Sequence, residues 1–75
     1  MSNTDLNKIA NRAADTLQGR EGFVRAYADT SSDPPSIIYE FSDPTFAEKY
    51  KFERETQGTG YKMEVKGSRL IEYRE

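Results

Sequence analysis

The sequence predicts an α+β domain in which one N-terminal helix packs on a mainly antiparallel sheet of about five strands. Apolar residues recur at helical spacing near the N-terminus and at alternate positions from Gly22 onward, and turn residues divide the rest into short segments. The predicted order is one helix, two strands, a turn and three more strands. We expect residues 1–75 to form a single small domain with no linker and no second domain.

The first predicted element is a helix over residues 4–18. Its apolar residues follow one another at the spacing of a helix face and form a narrow stripe of Leu6, Ile9, Ala10, Ala13 and Leu17. Gly19 suits the left-handed turn that commonly ends a helix. Because the stripe contains small alanines, we expect the helix to lie close against a sheet.

Two strands are predicted next, over residues 23–28 and 37–41. Aromatic and β-branched residues alternate with polar ones in both segments. Between them, Pro34 and Pro35 lack backbone donors, so no strand ladder can continue through this loop. The two strands are therefore expected to form a hairpin with a long and rigid tip.

The segment after the second strand carries conflicting signals. It is rich in good helix formers, yet Phe46, Tyr50 and Phe52 do not share one helical face and do share one face of a strand. We predict a helical turn over about 44–48, followed by a strand over about 50–56.

The C-terminal part is predicted to be a meander. A hairpin loop over 57–60 leads to strands over 61–66 and 69–74, which Gly67 and Ser68 join as a two-residue turn. This register predicts which side chains share the face toward the helix: Tyr50, Phe52, Met63, Val65 and Leu70. It places Phe52 opposite Val65. It also places Arg54 and Glu72 on the two sides of Met63, where the two side chains are expected to pair.

The opposite face of this meander is predicted to be charged, with two exceptions. The charged residues assigned to it are Lys51, Glu53, Glu55, Lys62, Glu64, Lys66 and Arg69. Ile71 and Tyr73 interrupt the charge, and an exposed apolar pair on a terminal strand can mark a partner surface or a homodimer seam. The alternative is that isolated apolar residues are common on protein surfaces and have no such role.

Residue types needed for most enzyme chemistry are missing. The chain has no histidine and no cysteine, which excludes Ser–His and Cys–His nucleophiles, disulfides and thiolate metal sites. Carboxylate pairs such as Glu53 and Glu55 are also what a solvated face contains. We therefore predict that the protein is not an enzyme and has no catalytic residue, cofactor or metal site.

Compartment is predicted from the same composition. The absence of cysteine favours a reducing, cytoplasmic location. The N-terminus has no basic and apolar signal-peptide pattern, and no stretch approaches the ~20 apolar residues that span a bilayer. No membrane partner is expected.

Charge is segregated along the chain although the net charge is only −2. No lysine or arginine occurs between Arg25 and Lys49, and the charged residues of that segment are all acidic: Asp29, Asp33, Glu40, Asp43 and Glu48. One hypothesis is that this acidic hairpin region docks into a basic groove of another protein. The terminal strand with Ile71 and Tyr73 is the other candidate contact surface. The chain would then be a small regulator or inhibitor, such as a phage anti-defence protein. The alternative is that Asp, Ser and Pro occur there because they suit turns.

Two further functions are considered. A nucleic-acid-binding sheet would use interleaved basic and aromatic residues: Lys49, Lys51, Lys62, Lys66, Arg69 and Tyr61. The overall negative charge and the glutamates on the same strands disfavour it. A small homo-oligomeric structural protein is the other alternative.

Overall fold

The computed structural model of the chain describes residues 3–58 and 60–74, with side chains described from residue 5 onward. The elements in chain order are α1 Asn3–Leu17, β1 Phe23–Asp29, β2 Ser36–Phe41, α2 Pro44–Gln57, β3 Met63–Lys66 and β4 Arg69–Tyr73. The α+β class is confirmed. The predicted single helix and five strands are wrong, because the described residues form two helices and four strands.

The four strands form one antiparallel sheet in the order β1-β2-β4-β3. β1 and β2 form the predicted hairpin, and β4 returns to pair with β2, so the last strand lies inside the sheet. In the β3–β4 hairpin, Lys66 pairs with Arg69 across the turn, which sets Val65 opposite Leu70 as predicted. β3 begins at Met63 rather than at residue 61.

Both helices pack on the same face of this sheet. α1 lies on β1 and β2, whereas α2 lies on β2, β4 and β3. The buried cluster between the layers consists of Leu6, Ala10, Leu17, Ile37, Tyr39, Phe41, Ala47, Tyr50 and Leu70. Ile9 and Ala13 pack against it, so the stripe predicted for α1 is confirmed. Within the described residues, no helix covers the opposite face of the sheet.

α2 occupies the segment for which a strand was predicted. Asp43 caps it, since its carboxylate accepts a hydrogen bond of 2.9 Å from the Thr45 N–H. Pro44 stands at the first helical position, where its missing N–H costs nothing. Gly58 ends the helix in the left-handed conformation and donates its N–H to the Glu55 carbonyl. The predicted loop over 57–60 is therefore partly a helix terminus; Thr59 lies outside the described residues.

The strand predicted from alternation placed Phe52 in the core, and this is wrong. The inward face of α2 is formed by Ala47, Tyr50 and Arg54, at spacings of three and four residues. Phe52 is 70% exposed rather than buried in the core, so its predicted place opposite Val65 is wrong. The charged residues Lys51, Glu53 and Glu55 also lie on α2, not on the far face of the sheet.

Aromatic contacts and an ion pair hold α2 against β2 and against the loop that follows α1. The Tyr50 ring lies 5.3 Å from that of Tyr39 and 5.8 Å from that of Phe41, measured between centroids. Arg20, in the loop after α1, pairs with Glu53 of α2 and lies over the Tyr50 ring at 5.1 Å. This loop is therefore held against α2 by packing as well as charge.

Gly22, in the loop after α1, lies close to the ring of Phe46 of α2. A Cβ there would lie 2.3–2.7 Å from the ring of Phe46, and its φ is +82°, whereas Gly19 has a φ of +88° with nothing within 4 Å. In both Gly→Ala variants a residue with a side chain must adopt a positive φ, which destabilises the folded state. Only in Gly22→Ala does the new methyl group also clash with a neighbouring side chain. We expect Gly22→Ala to lower the free energy of unfolding by about 1–3 kcal/mol more than Gly19→Ala. Denaturant titration measures both; equal losses would contradict the close approach.

Candidate functional site

The side of the sheet away from α1 and α2 carries three rows of side chains; we call it the open face. Two rows cross all four strands, and the third crosses β1, β2 and β4 and ends at Lys62, just before β3. Ala26 and Ala28 join the core, so their neighbours in β1 project to the other side. The residues of the open face are Arg25, Tyr27, Asp29, Ser36, Ile38, Glu40, Lys62, Glu64, Lys66, Arg69, Ile71 and Tyr73. The predicted exceptions Ile71 and Tyr73 thus share it with β2.

The middle row is the most apolar part of the open face. It runs from Tyr27 through Ile38 and Ile71 to Glu64, each opposite the next. Ile38 is only 6% exposed although it lies outside the cluster beneath the helices. Since Tyr27 and Ile71 flank it on the two neighbouring strands, these side chains form a short apolar strip on an otherwise polar face.

The row next to it is charged. It runs Arg25, Glu40, Arg69, Lys66. Glu40 accepts hydrogen bonds from the Arg25 Nε and from the Tyr27 hydroxyl, both at 3.0 Å, and its other cation, Arg69, is 3.4 Å away. The hydrogen bond from Arg25, helped by the one from Tyr27, holds the pKa of the Glu40 carboxyl below its ordinary value.

The third row lies at the end of the sheet near the Pro34–Pro35 loop. It contains Asp29, Ser36 and Tyr73, and the Tyr73 N–H donates to the Lys62 carbonyl, which places Lys62 at its end. The Tyr73 hydroxyl donates to Glu64 at 3.0 Å, and this bond raises the pKa of the phenol. The row is polar with one charge of each sign.

The acidic residues singled out in the sequence do not form one patch. Asp29 and Glu40 lie on the open face, at opposite ends of the sheet. Asp33 lies in the hairpin loop, Asp43 caps α2, and Glu48 is exposed on α2. Asp29 and Asp43 also accept hydrogen bonds from their own turns, from Ser31 and Thr45 respectively. Segregation along the chain is thus not segregation in space.

The candidate nucleic-acid contacts are likewise divided. Lys49 and Lys51 lie on α2, where Lys51 pairs with Glu55 at 3.3 Å. Lys62, Lys66 and Arg69 belong to the open face on the other side of the sheet. The Tyr61 ring lies under the Arg74 guanidinium, 4.0 Å from centroid to Cζ. These residues are not assembled into one platform of basic and stacking groups.

A buried carboxylate between two arginines lies on the helix side of the sheet. Glu72 is 0% exposed, and its oxygens lie 2.6 Å from Arg54 Nη2 and 2.5 Å from Arg74 Nη2. The Arg54–Glu72 pair agrees with the sequence prediction, although Arg54 reaches it from α2 rather than from a strand. Arg74 was missed, because nothing in the local pattern indicates that it folds back over Glu72. Both carboxylate oxygens are engaged, so this cluster acts as a clamp between α2 and β4.

Other kinds of site find no support in the described ranges. Residues 3–58 and 60–74 contain no group of three or more acidic residues placed to hold a metal ion. None of the helices described is long and apolar enough to cross a membrane. Comparison of the chain with protein-family models, with curated proteins and with solved structures finds no match.

The clamp generates a stability prediction. Glu72→Gln leaves two partly buried guanidinium groups without their counter-ion, and we expect a loss of about 3–5 kcal/mol in the free energy of unfolding. Glu64→Gln is the matched control, because Glu64 lies on the open face and its pair with Lys66 at 3.9 Å is at the surface; its expected loss is about 1 kcal/mol or less. Thermal and denaturant unfolding measure both. Similar losses would show that the clamp is not a major source of stability.

Glu40 generates a pH prediction. Its folded-state pKa lies below the ordinary value of 4.5, so its stabilising contribution is fully present above that pH and is lost as pH falls below it. The free energy of unfolding should therefore decrease less steeply between about pH 5 and pH 3 in Glu40→Gln than in the wild type. Denaturant titration at several pH values gives the two profiles. Parallel profiles would contradict the assignment.

Proposed function

We propose that this chain is a non-enzymatic protein-binding module whose contact surface is the open face of the sheet. The observation that carries the proposal is the apolar strip of Tyr27, Ile38 and Ile71 on the face that no helix covers. In an antiparallel sheet with one wet side, that face is ordinarily polar throughout. Ile38 is already 6% exposed within the chain, so the part of the strip that a partner would cover is formed by the half-buried Tyr27 and Ile71.

The composition of the open face fits a protein partner. An apolar and aromatic centre with a charged rim is the arrangement of protein–protein interfaces, in which tyrosine and arginine are enriched. Arg25, Arg69 and Lys66 supply the rim along one side of the strip. Because the strip is built on paired strands, little conformational entropy is lost when a partner binds.

The sequence offered two candidate contact surfaces, the terminal strand with Ile71 and Tyr73 and the acidic hairpin region. The open face contains the first of them. The acidic version needs a continuous negative surface, and its residues are instead divided among the open face, the hairpin loop and α2 with its cap. Ile71 and Tyr73, in contrast, lie beside residues of β2 that extend the same surface. A role as a regulator or inhibitor of a bound protein follows as one use of such a face.

The test uses a tagged chain that carries a photo-crosslinking amino acid at position 73, in lysate of the cells in which the protein occurs. We expect a covalent adduct with a discrete protein, and a reduction of about tenfold or more when Ile71→Lys is added, since a charge would be buried at the centre of the contact. Phe52→Lys is the matched control. It removes the large exposed apolar side chain of α2, on the other side of the molecule, and should leave the adduct unchanged.

Two results would overturn the proposal. One is an adduct that persists at full yield with Ile71→Lys. The other is an adduct that Phe52→Lys abolishes equally, since binding would then depend on exposed apolar area in general. Circular dichroism of each variant shows whether it is folded.

A further inference from the structure

We infer that the partner which the open face fits is a second copy of this chain, packed face to face across a two-fold axis. This rests on the proposed function, because it names the partner of the same surface. The order of side chains in the three rows is largely complementary to the same order reversed.

The sheet order allows a simple symmetry. β2 and β4 are neighbours at the centre, with β1 and β3 at the edges. Consider a two-fold axis that runs parallel to the strands, in the plane between the two sheets and over the boundary of β2 and β4. It places β1 on β3 of the second copy and β2 on β4 of the second copy. Each row then meets the same row of the other copy in reversed order. Face-to-face sheets with nearly aligned strands are a standard packing, about 10 Å apart.

The middle row is complementary under this operation. Ile38 meets Ile71 of the second copy, and the reverse contact forms by symmetry. Tyr27 meets Glu64 of the second copy. The Tyr27 hydroxyl already donates to Glu40 in its own chain, and Glu64 already accepts from the Tyr73 hydroxyl, so this contact contributes packing and not a new hydrogen bond. The apolar strips of the two copies would thus cover each other.

The outer rows are complementary at most positions. Asp29 meets Lys62 of the second copy, and Glu40 meets Arg69 of the second copy, which gives opposite charges twice over by symmetry. Ser36 meets Tyr73 of the second copy, a polar match that needs no charge.

One facing pair has like charge. Arg25 meets Lys66 of the second copy, at a corner of the contact. These two side chains are 64% and 66% exposed, so solvent and salt screen the repulsion. The angle of about 30° between packed sheets also turns the corners out of register more than the centre.

The other two-fold arrangement matches less well. An axis across the strands sets each strand on its own copy in reversed direction. Glu64 then faces Glu64 of the second copy and Lys62 faces Lys66 of the second copy, while Ile38 and Ile71 meet only themselves. The axis parallel to the strands is therefore the arrangement that the side chains favour.

The size of the face predicts a weak dimer. Four strands of about five residues cover roughly 19 by 17 Å, which is well below the ~800 Å² per partner of a standard stable interface. Association is therefore expected at high protein concentration, with rapid exchange. Sedimentation equilibrium from about 10 µM to 1 mM spans the range of weak complexes.

A charge-exchange experiment tests both the dimer and its geometry. Asp29→Lys alone and Lys62→Glu alone each create two like-charge contacts across the axis, and we expect the dimer dissociation constant of each to rise about tenfold. An equimolar mixture of the two variants restores opposite charges at both contacts, and it should associate with nearly wild-type affinity. Phe52→Lys is again the control and should dimerise as the wild type does.

The outcomes separate this inference from the proposed function. A wild type that is monomeric at 1 mM overturns the dimer, as does a mixture that associates no better than its separate variants. If the chain is monomeric while Ile71→Lys still abolishes the adduct at position 73, the inference falls and the protein-binding proposal stands. A self-adduct of twice the chain mass that is lost with Ile71→Lys supports both.

Discussion

The buried carboxylate of Glu72 is the constraint on which the arrangement of the two layers depends. A fully buried charge costs several kcal/mol unless it is paired, and Arg54 and Arg74 provide the two cations. Because Arg54 belongs to α2 and Glu72 to β4, satisfying this group holds α2 against the sheet. Tyr39 and Tyr50 pack beside the clamp, where burial raises the pKa of both phenols and keeps them neutral.

Once both helices lie on one face, the character of the other face follows from strand alternation. The pairing of β2 with β4 that sets Tyr39 opposite Leu70 in the core also sets Ile38 opposite Ile71 on the open face. A sheet with such a strip gains from being covered, and the reversed order of charges around the strip is compatible with its own copy. The proposals of protein binding and of self-association therefore rest on the same geometry.

Acidic residues that are close together in the sequence are separated in the folded chain. The acidic segment spans a hairpin, a helix cap and the exposed side of α2, so its carboxylates separate in space. Some of them perform local work: Asp29 orders the turn that follows β1, and Asp43 caps α2. Glu40 is the one that joins a network on the open face, between Arg25 and Arg69.

The sequence by itself determined the elements whose signals are local: α1 from its stripe, the β1–β2 hairpin from alternation, and the opposition of Val65 and Leu70 from a two-residue turn. It also determined that Ile71 lies on the face away from α1, because side chains alternate along a strand. Only the tertiary structure decided that residues 44–57 form a helix, since which aromatic side chains it buries depends on the sheet beneath it. The pairing of β2 with β4 joins segments that are far apart in the chain. Arg74 is close to Glu72 in the chain, but strand alternation does not indicate that its side chain turns back to the carboxylate. Local periodicity contains no information on which distant groups share a buried charge or a strand edge.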